Sequence, residues 1–101
     1  MPSQDFEISF MPLSSSLPMV FVDLETTGAN FANDRIIEIG IVEVDQDGVR
    51  EWSSLVNPER EISPFISRLT GIENSMVVGA PTFAEVADEV LAKLKGRLFV
   101  A

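Results

Sequence analysis

The chain has 101 residues, 46% hydrophobic and 23% charged, the composition of a single globular domain near the small end of what buries its own core. It contains no cysteine, histidine or tyrosine, which excludes a disulfide framework, a thiolate metal site and the histidine or tyrosine general bases, leaving carboxylates, hydroxyls, lysine or a bound metal for any catalysis. Its net charge of -9, from 16 acidic and 7 basic residues, repels phosphate backbones unless cations bound locally reverse the sign.

Residues 1–18 read as a flexible arm ahead of a domain over 19–101. The arm carries Asp5 and Glu7 where a secretory leader would be basic, and Pro12 and the Ser14-Ser15-Ser16 run break its apolar residues. No apolar run approaches the roughly 20 residues that cross a bilayer, so the expectation is a cytoplasmic protein with no membrane partner.

Met19 to Leu24 (MVFVDL) is a short apolar run with the β-branched and aromatic content of a buried strand. Thr26-Thr27-Gly28-Ala29-Asn30 then supplies turn residues. Arg35 to Gln46 alternates Ile37, Ile39 and Ile41 with polar residues and reads as a long strand, with an irregularity expected near Gly40. Asp47-Gly48 suits the positive φ angles of a tight hairpin, and Val49 to Val56 resumes a strand around Trp52, read as a packing residue.

Asn57-Pro58 ends this meander. Ser63-Pro64 has the form of an N-cap followed by proline at the first helical position, and Gly71 marks the stop. A second short helix is expected over Glu73 to Val77. Thr82-Phe83-Ala84-Glu85 fits a capping box, opening a helix whose apolar face is Phe83, Val86, Ala87, Val90, Leu91 and Leu94. Gly96 ends it, and Leu98 to Ala101 begins another apolar strand. The fold class predicted is α/β, with a three-stranded antiparallel meander, then helices, then the start of a further strand of an incomplete domain.

The chemistry concentrates at Asp23 and Glu25. A strand's period of two puts both carboxylates on one face, where like charges oppose folding and a divalent cation would relieve them. Hard oxygen ligands suit Mg2+ or Mn2+, and two such ions can hydrolyse phosphodiesters. An Asp-x-Glu triplet alone is common on solvated faces. Here it stands within FVDLETTG (Phe21 to Gly28), followed by DRIIEIG (Asp34 to Gly40), Asn57-Pro58, Leu69-Thr70-Gly71-Ile72 and Ala80-Pro81-Thr82-Phe83.

This ordered set resembles the first exonuclease motif of the DEDD superfamily, and in particular the proofreading (epsilon) subunit of bacterial DNA polymerase III, over roughly Pro18 to Ala101. The resemblance implies a ribonuclease H-like fold and a two-metal 3'-5' exonuclease, with Asp23 and Glu25 as catalytic, metal-binding acids. It implies that Leu24, Thr26, Thr27 and Thr70 lie beside the terminal nucleotide, although Thr70 stands where polymerase III relatives often carry histidine. Glu38 fits the pattern but reads equally well as a structural acid. The implied partners are a single-stranded DNA 3' end and a polymerase catalytic subunit.

The same family uses two further aspartates and a histidine or tyrosine base from later motifs, none matched by this sequence. The expectation is therefore a front portion of a longer domain with little or no nuclease activity alone. Two other readings compete with it. A haloacid-dehalogenase-like loop at Asp23, Glu25 and Thr27 has the wrong second acid and the wrong following meander. A non-catalytic module would instead self-associate through an unpaired Leu98 to Ala101 strand.

Overall fold

The computed structural model describes residues 17–30 and 32–101. The expected arm therefore lies outside the described residues except for Leu17 and Pro18. Pro18 is already tied to the sheet, its carbonyl accepting from the Leu98 amide at 2.9 Å.

Three strands form the meander: β1 (Met19–Thr26), β2 (Ile36–Asp45) and β3 (Gly48–Leu55). Helices α1 (Pro64–Thr70), α2 (Asn74–Val77) and α3 (Phe83–Leu94) follow, and then β4 (Leu98–Val100). The sheet order is β3-β2-β1-β4, antiparallel except for β4, which runs parallel to β1 with Met19 opposite Leu98. The terminal strand expected to be unpaired thus pairs with β1 along one side, because α3 provides the crossover that a parallel connection needs.

Beyond shifts of a residue at strand ends, β1 and β2 depart from the sequence reading. β1 continues through Glu25 and Thr26, beyond Leu24, and the irregularity in β2 is at Ile37 instead of Gly40. Glu25 pairs with Glu38 and Thr26 with Ile36, so Ile37 is an extra residue, whereas Gly40 sits in regular register opposite Asp23. The hairpin turn is Gln46-Asp47, with Gly48 at φ 129° opening β3; the positive φ expected of this dipeptide falls on its glycine.

The bulge divides the core. Val20, Ile39, Ile41, Val56 and Val86 form one cluster, joined by Val22, Ile36, Trp52, Val90 and Leu94. Ile37, the extra residue, is buried like Ile39 and Ile41 but packs with Ile62, Ile66, Ile72 and Val77. One cluster fixes α3 to the sheet and the other fixes the two short helices. Helix caps match their sequence signals: the Ile66 amide donates to Ser63 Oγ at 3.2 Å, and the Thr82 amide donates to Glu85 Oε1 at 2.8 Å. The expected apolar face of α3 narrows to Val86, Val90 and Leu94, while Phe83 and Leu91 stay exposed. At four-residue spacing these three form one stripe, which is all a single sheet face covers.

Lys93 takes a place on the inner side, with its ammonium 5.4 Å from the Trp52 ring centroid and 3.5 Å from Glu43. Arg97 and Arg50 complete an ion network with Glu43 and Asp45 at the sheet end away from Asp23 and Glu25.

Candidate nuclease site

Asp23 and Glu25 fall where the sequence places them, two residues apart near the end of β1 and therefore on one face of the sheet. Their cross-strand partners are Gly40 and Glu38. Gly40 carries no side chain beside Asp23, and a trough of about 370 Å³ opens there, lined by Phe21, Asp23, Val42, Glu51 and Ser53 among others. Glu38 is directly opposite Glu25, yet no group of three acids able to share a cation forms among the described residues.

A second cleft, of about 560 Å³, lies between the end of β1 with its following turn and helix α1. Leu24, Thr26, Thr27 and Thr70 all line it, although Thr70 is more than forty positions from the others in sequence. Glu25 lines it too. Asp23 opens on the neighbouring trough. The four residues singled out for substrate contact are thus gathered at one place, beside the acidic pair.

Their hydroxyls are engaged within the protein. Thr26 Oγ1 donates to the Gly28 carbonyl, and Thr27 Oγ1 donates to Asp34 Oδ1 at 2.8 Å while accepting from the Arg35 amide at 2.9 Å. Thr70 Oγ1 donates to the Ile66 carbonyl at 2.8 Å and accepts from the Ile72 amide at 3.1 Å. Each hydroxyl proton is therefore already placed within the protein.

Three features escaped the sequence reading. Phe65 and Leu69 line the cleft and are 62% and 70% exposed. Their spacing of four on α1, with Ile66 as that helix's buried residue, was the available signal. Asp34 was visible only as part of a motif. Its Oδ2 accepts from the Asn30 amide at 2.8 Å, and its carboxylate sits so close to Gly28 that a Cβ there would lie 2.6 Å from Oδ2. The Asn30 amide, then the Thr27 hydroxyl, with Arg60 nearby, hold the Asp34 carboxyl below the usual carboxylate range.

Comparison with known proteins bears on the family and the fold. The family described as Exonuclease, of RNase T type, matches residues 20–101. The chain is 48% identical over 81 residues to the 3'-5' exonuclease DinG of Staphylococcus epidermidis, covering 79% of this chain and 9% of that protein. It is 45% identical over 83 residues to the PolC-type DNA polymerase III of Caldanaerobacter subterraneus subsp. tengcongensis, covering 81% and 6%. Exonuclease X, solved in complex with 5' overhanging duplex DNA, aligns at a TM-score of 0.61 and 30% identity, over 71% of this chain and 42% of that one. Exonuclease I from Methylocaldum szegediense shares the fold at a TM-score of 0.70 and 18% identity, over 82% and 20%. The chain spans less than a tenth of the length of those two curated relatives. With its residues from Val20 onward matched and its sheet shared with solved exonucleases, the chain belongs to the exonuclease family, of DEDD type and ribonuclease H-like fold.

Proposed function

We propose that residues 19–101 supply the first acidic motif and one side of the substrate cleft of a 3'-5' exonuclease acting on single-stranded DNA ends. The observation that carries this reading is the position of Asp23 and Glu25 beside a cleft that gathers Leu24, Thr26, Thr27 and Thr70. Carboxylate oxygens fit Mg2+ or Mn2+, and the pair offers part of a two-ion ligand set. Such cations, when bound, supply the charge that activates water and stabilises the leaving oxygen.

The chain's own residues do the rest of the work on this side of the site. Asp23 and Glu25 hold the cations at the end of β1. Leu24, Thr26, Thr27 and Thr70 border the terminal nucleotide, the main chain approaching its sugar. No histidine or tyrosine is present to take a proton from water, so the 101-residue chain alone hydrolyses little or nothing. A polymerase catalytic subunit is a partner in keeping with the PolC-type relative.

The test uses the 15N-labelled chain. Mn2+ should broaden amide resonances around Asp23 and Glu25 first, and 3'-labelled single-stranded DNA with Mg2+ should release no mononucleotide. Broadening centred on Glu43 and Asp45 instead would remove the cation assignment; robust hydrolysis by tag-free chain would refute the incomplete site.

A second reading, a non-catalytic assembly module, draws on the exposure of Leu98 and Phe99, 53% and 55%, on a strand with no outer neighbour among the described residues. Sedimentation decides it, since a strictly monomeric chain counts against pairing through β4.

A further inference from the structure

Next to the cleft, the turn after β1 and the segment that leads into α1 are joined by charge. The cleft lies between that turn and α1 with Ser63, while Asp34, Arg35, Pro58 and Glu59 line a neighbouring hollow. Asp34 and Arg35 in the turn face Glu59 and Arg60 in the segment before α1 in a crossed pair: Arg60 Nη1 is 4.0 Å from Asp34 Oδ1, and Arg35 Nη1 is 3.8 Å from Glu59 Oε1. Arg35 Nη1 also donates to the Pro58 carbonyl at 3.4 Å. Glu59 holds a left-handed backbone, φ 59°, unusual for a residue with a side chain and sustained here by its amide donating to Asn57 Oδ1 at 2.8 Å.

We propose that Asp34 is a positioning residue for this cleft, fixing the main chain of Thr27 to Asn30 and, through Arg60, setting that rim's distance from α1. Three contacts converge on its carboxylate. Thr27 Oγ1 donates to one oxygen, the Asn30 amide donates to the other, and Gly28 leaves the space the carboxylate fills. A side chain that holds both ends of a four-residue turn dictates where the main-chain groups between them point. The link to Arg60 is longer and half exposed, so it guides wall spacing without locking it. The effect on substrate rests on the exonuclease reading; the effect on the rim does not.

The experiment follows amides in the 15N-labelled 101-residue chain. Asp34→Ala should speed exchange at Asn30 about tenfold, the factor for losing a charge-assisted hydrogen bond of modest strength. It should also move the resonances of Thr27 and Gly28 and, across the cleft, of Ser63 and Phe65. Gly28→Ala should produce the same pattern with Asp34 intact, because the new Cβ displaces the carboxylate. Asp34→Asn, which keeps an acceptor, should restore protection at Asn30 yet still move Ser63 and Phe65, since the attraction to Arg60 is gone.

Thymidine 5'-monophosphate with Mg2+ is the probe for the cleft itself, and Asp34→Ala should weaken its binding about tenfold. Unchanged exchange at Asn30, or shifts confined to residues 33–35, would overturn the proposal, as would equal nucleotide affinity in wild type and Asp34→Ala. If the wild-type chain binds no nucleotide while the amides respond as expected, the exonuclease reading fails and the positioning role stands.

Discussion

Glu25 faces Glu38 directly across the β1–β2 ladder, the register step before the bulge at Ile37. Like charges opposed at this spacing destabilise a sheet by about 0.2–1 kcal/mol. Glu38→Gln should therefore raise the melting temperature in metal-free buffer by about 1–8 °C for a domain of this size, with the gain shrinking as salt is added. An unchanged or lowered value would mean that the two carboxylates do not oppose one another in solution.

Two glycines near the site respond oppositely to alanine. A Cβ at Gly40 meets only the Asp23 carbonyl at 3.8 Å, an ordinary contact on regular strand backbone, whereas at Gly28 it meets the Asp34 carboxylate at 2.6 Å. Gly40→Ala should be neutral or stabilising by about 0.5 kcal/mol, because it reduces the entropy of the unfolded chain. Gly28→Ala should lower the melting temperature. Equal effects in thermal melts would show that the turn relaxes freely around Asp34.

Within α1, Ile66 is 9% exposed and belongs to the second core cluster, while Leu69, three residues on, is 70% exposed in the cleft. Ile66→Ala should cost about 2–5 kcal/mol in urea unfolding, a large share of the ~5–15 kcal/mol available to a small domain. Leu69→Ala should stay within about 0.5 kcal/mol. A large cost at Leu69 would mean that its side chain is covered in solution, which would remove it from the open cleft.

What was legible in the sequence was local. Period-two alternation around Ile37, Ile39 and Ile41, the capping signals at Ser63 and Thr82, and the triplet at Asp23 and Glu25 each depend on neighbours in the chain, and each is present in the structure. The bulge falls at Ile37 and not near Gly40 because its setting is tertiary: Ile37 packs in the cluster under α1 and α2. The exposed faces of Phe83 and Leu91 were missed for a similar reason, since periodicity shows which residues could face a core and not how much sheet is there to cover them. The gathering of Thr70 with Thr26 and Thr27 came from resemblance. The engagement of their hydroxyls could be learned only from coordinates.

At the other end of the sheet, Asp45 carries a pH prediction. Arg50 beside it, donating to Oδ2 at 2.8 Å, together with the Asp47 amide and Arg97, lowers its pKa from 3.8 to about 2. A carboxyl depressed in the folded state adds stability that is fully present above its unfolded value and is lost as pH falls through the folded one. Between pH 4 and pH 2 the wild-type melting temperature should therefore fall more steeply than that of Asp45→Asn, which has no such proton to take up. Above pH 5 the two curves should run parallel, with wild type higher. Removing Arg50, the largest cause, should bring the Asp45 titration back toward its ordinary value and flatten the acid limb. Parallel curves down to pH 2 would show that the Asp45 pair is broken in solution.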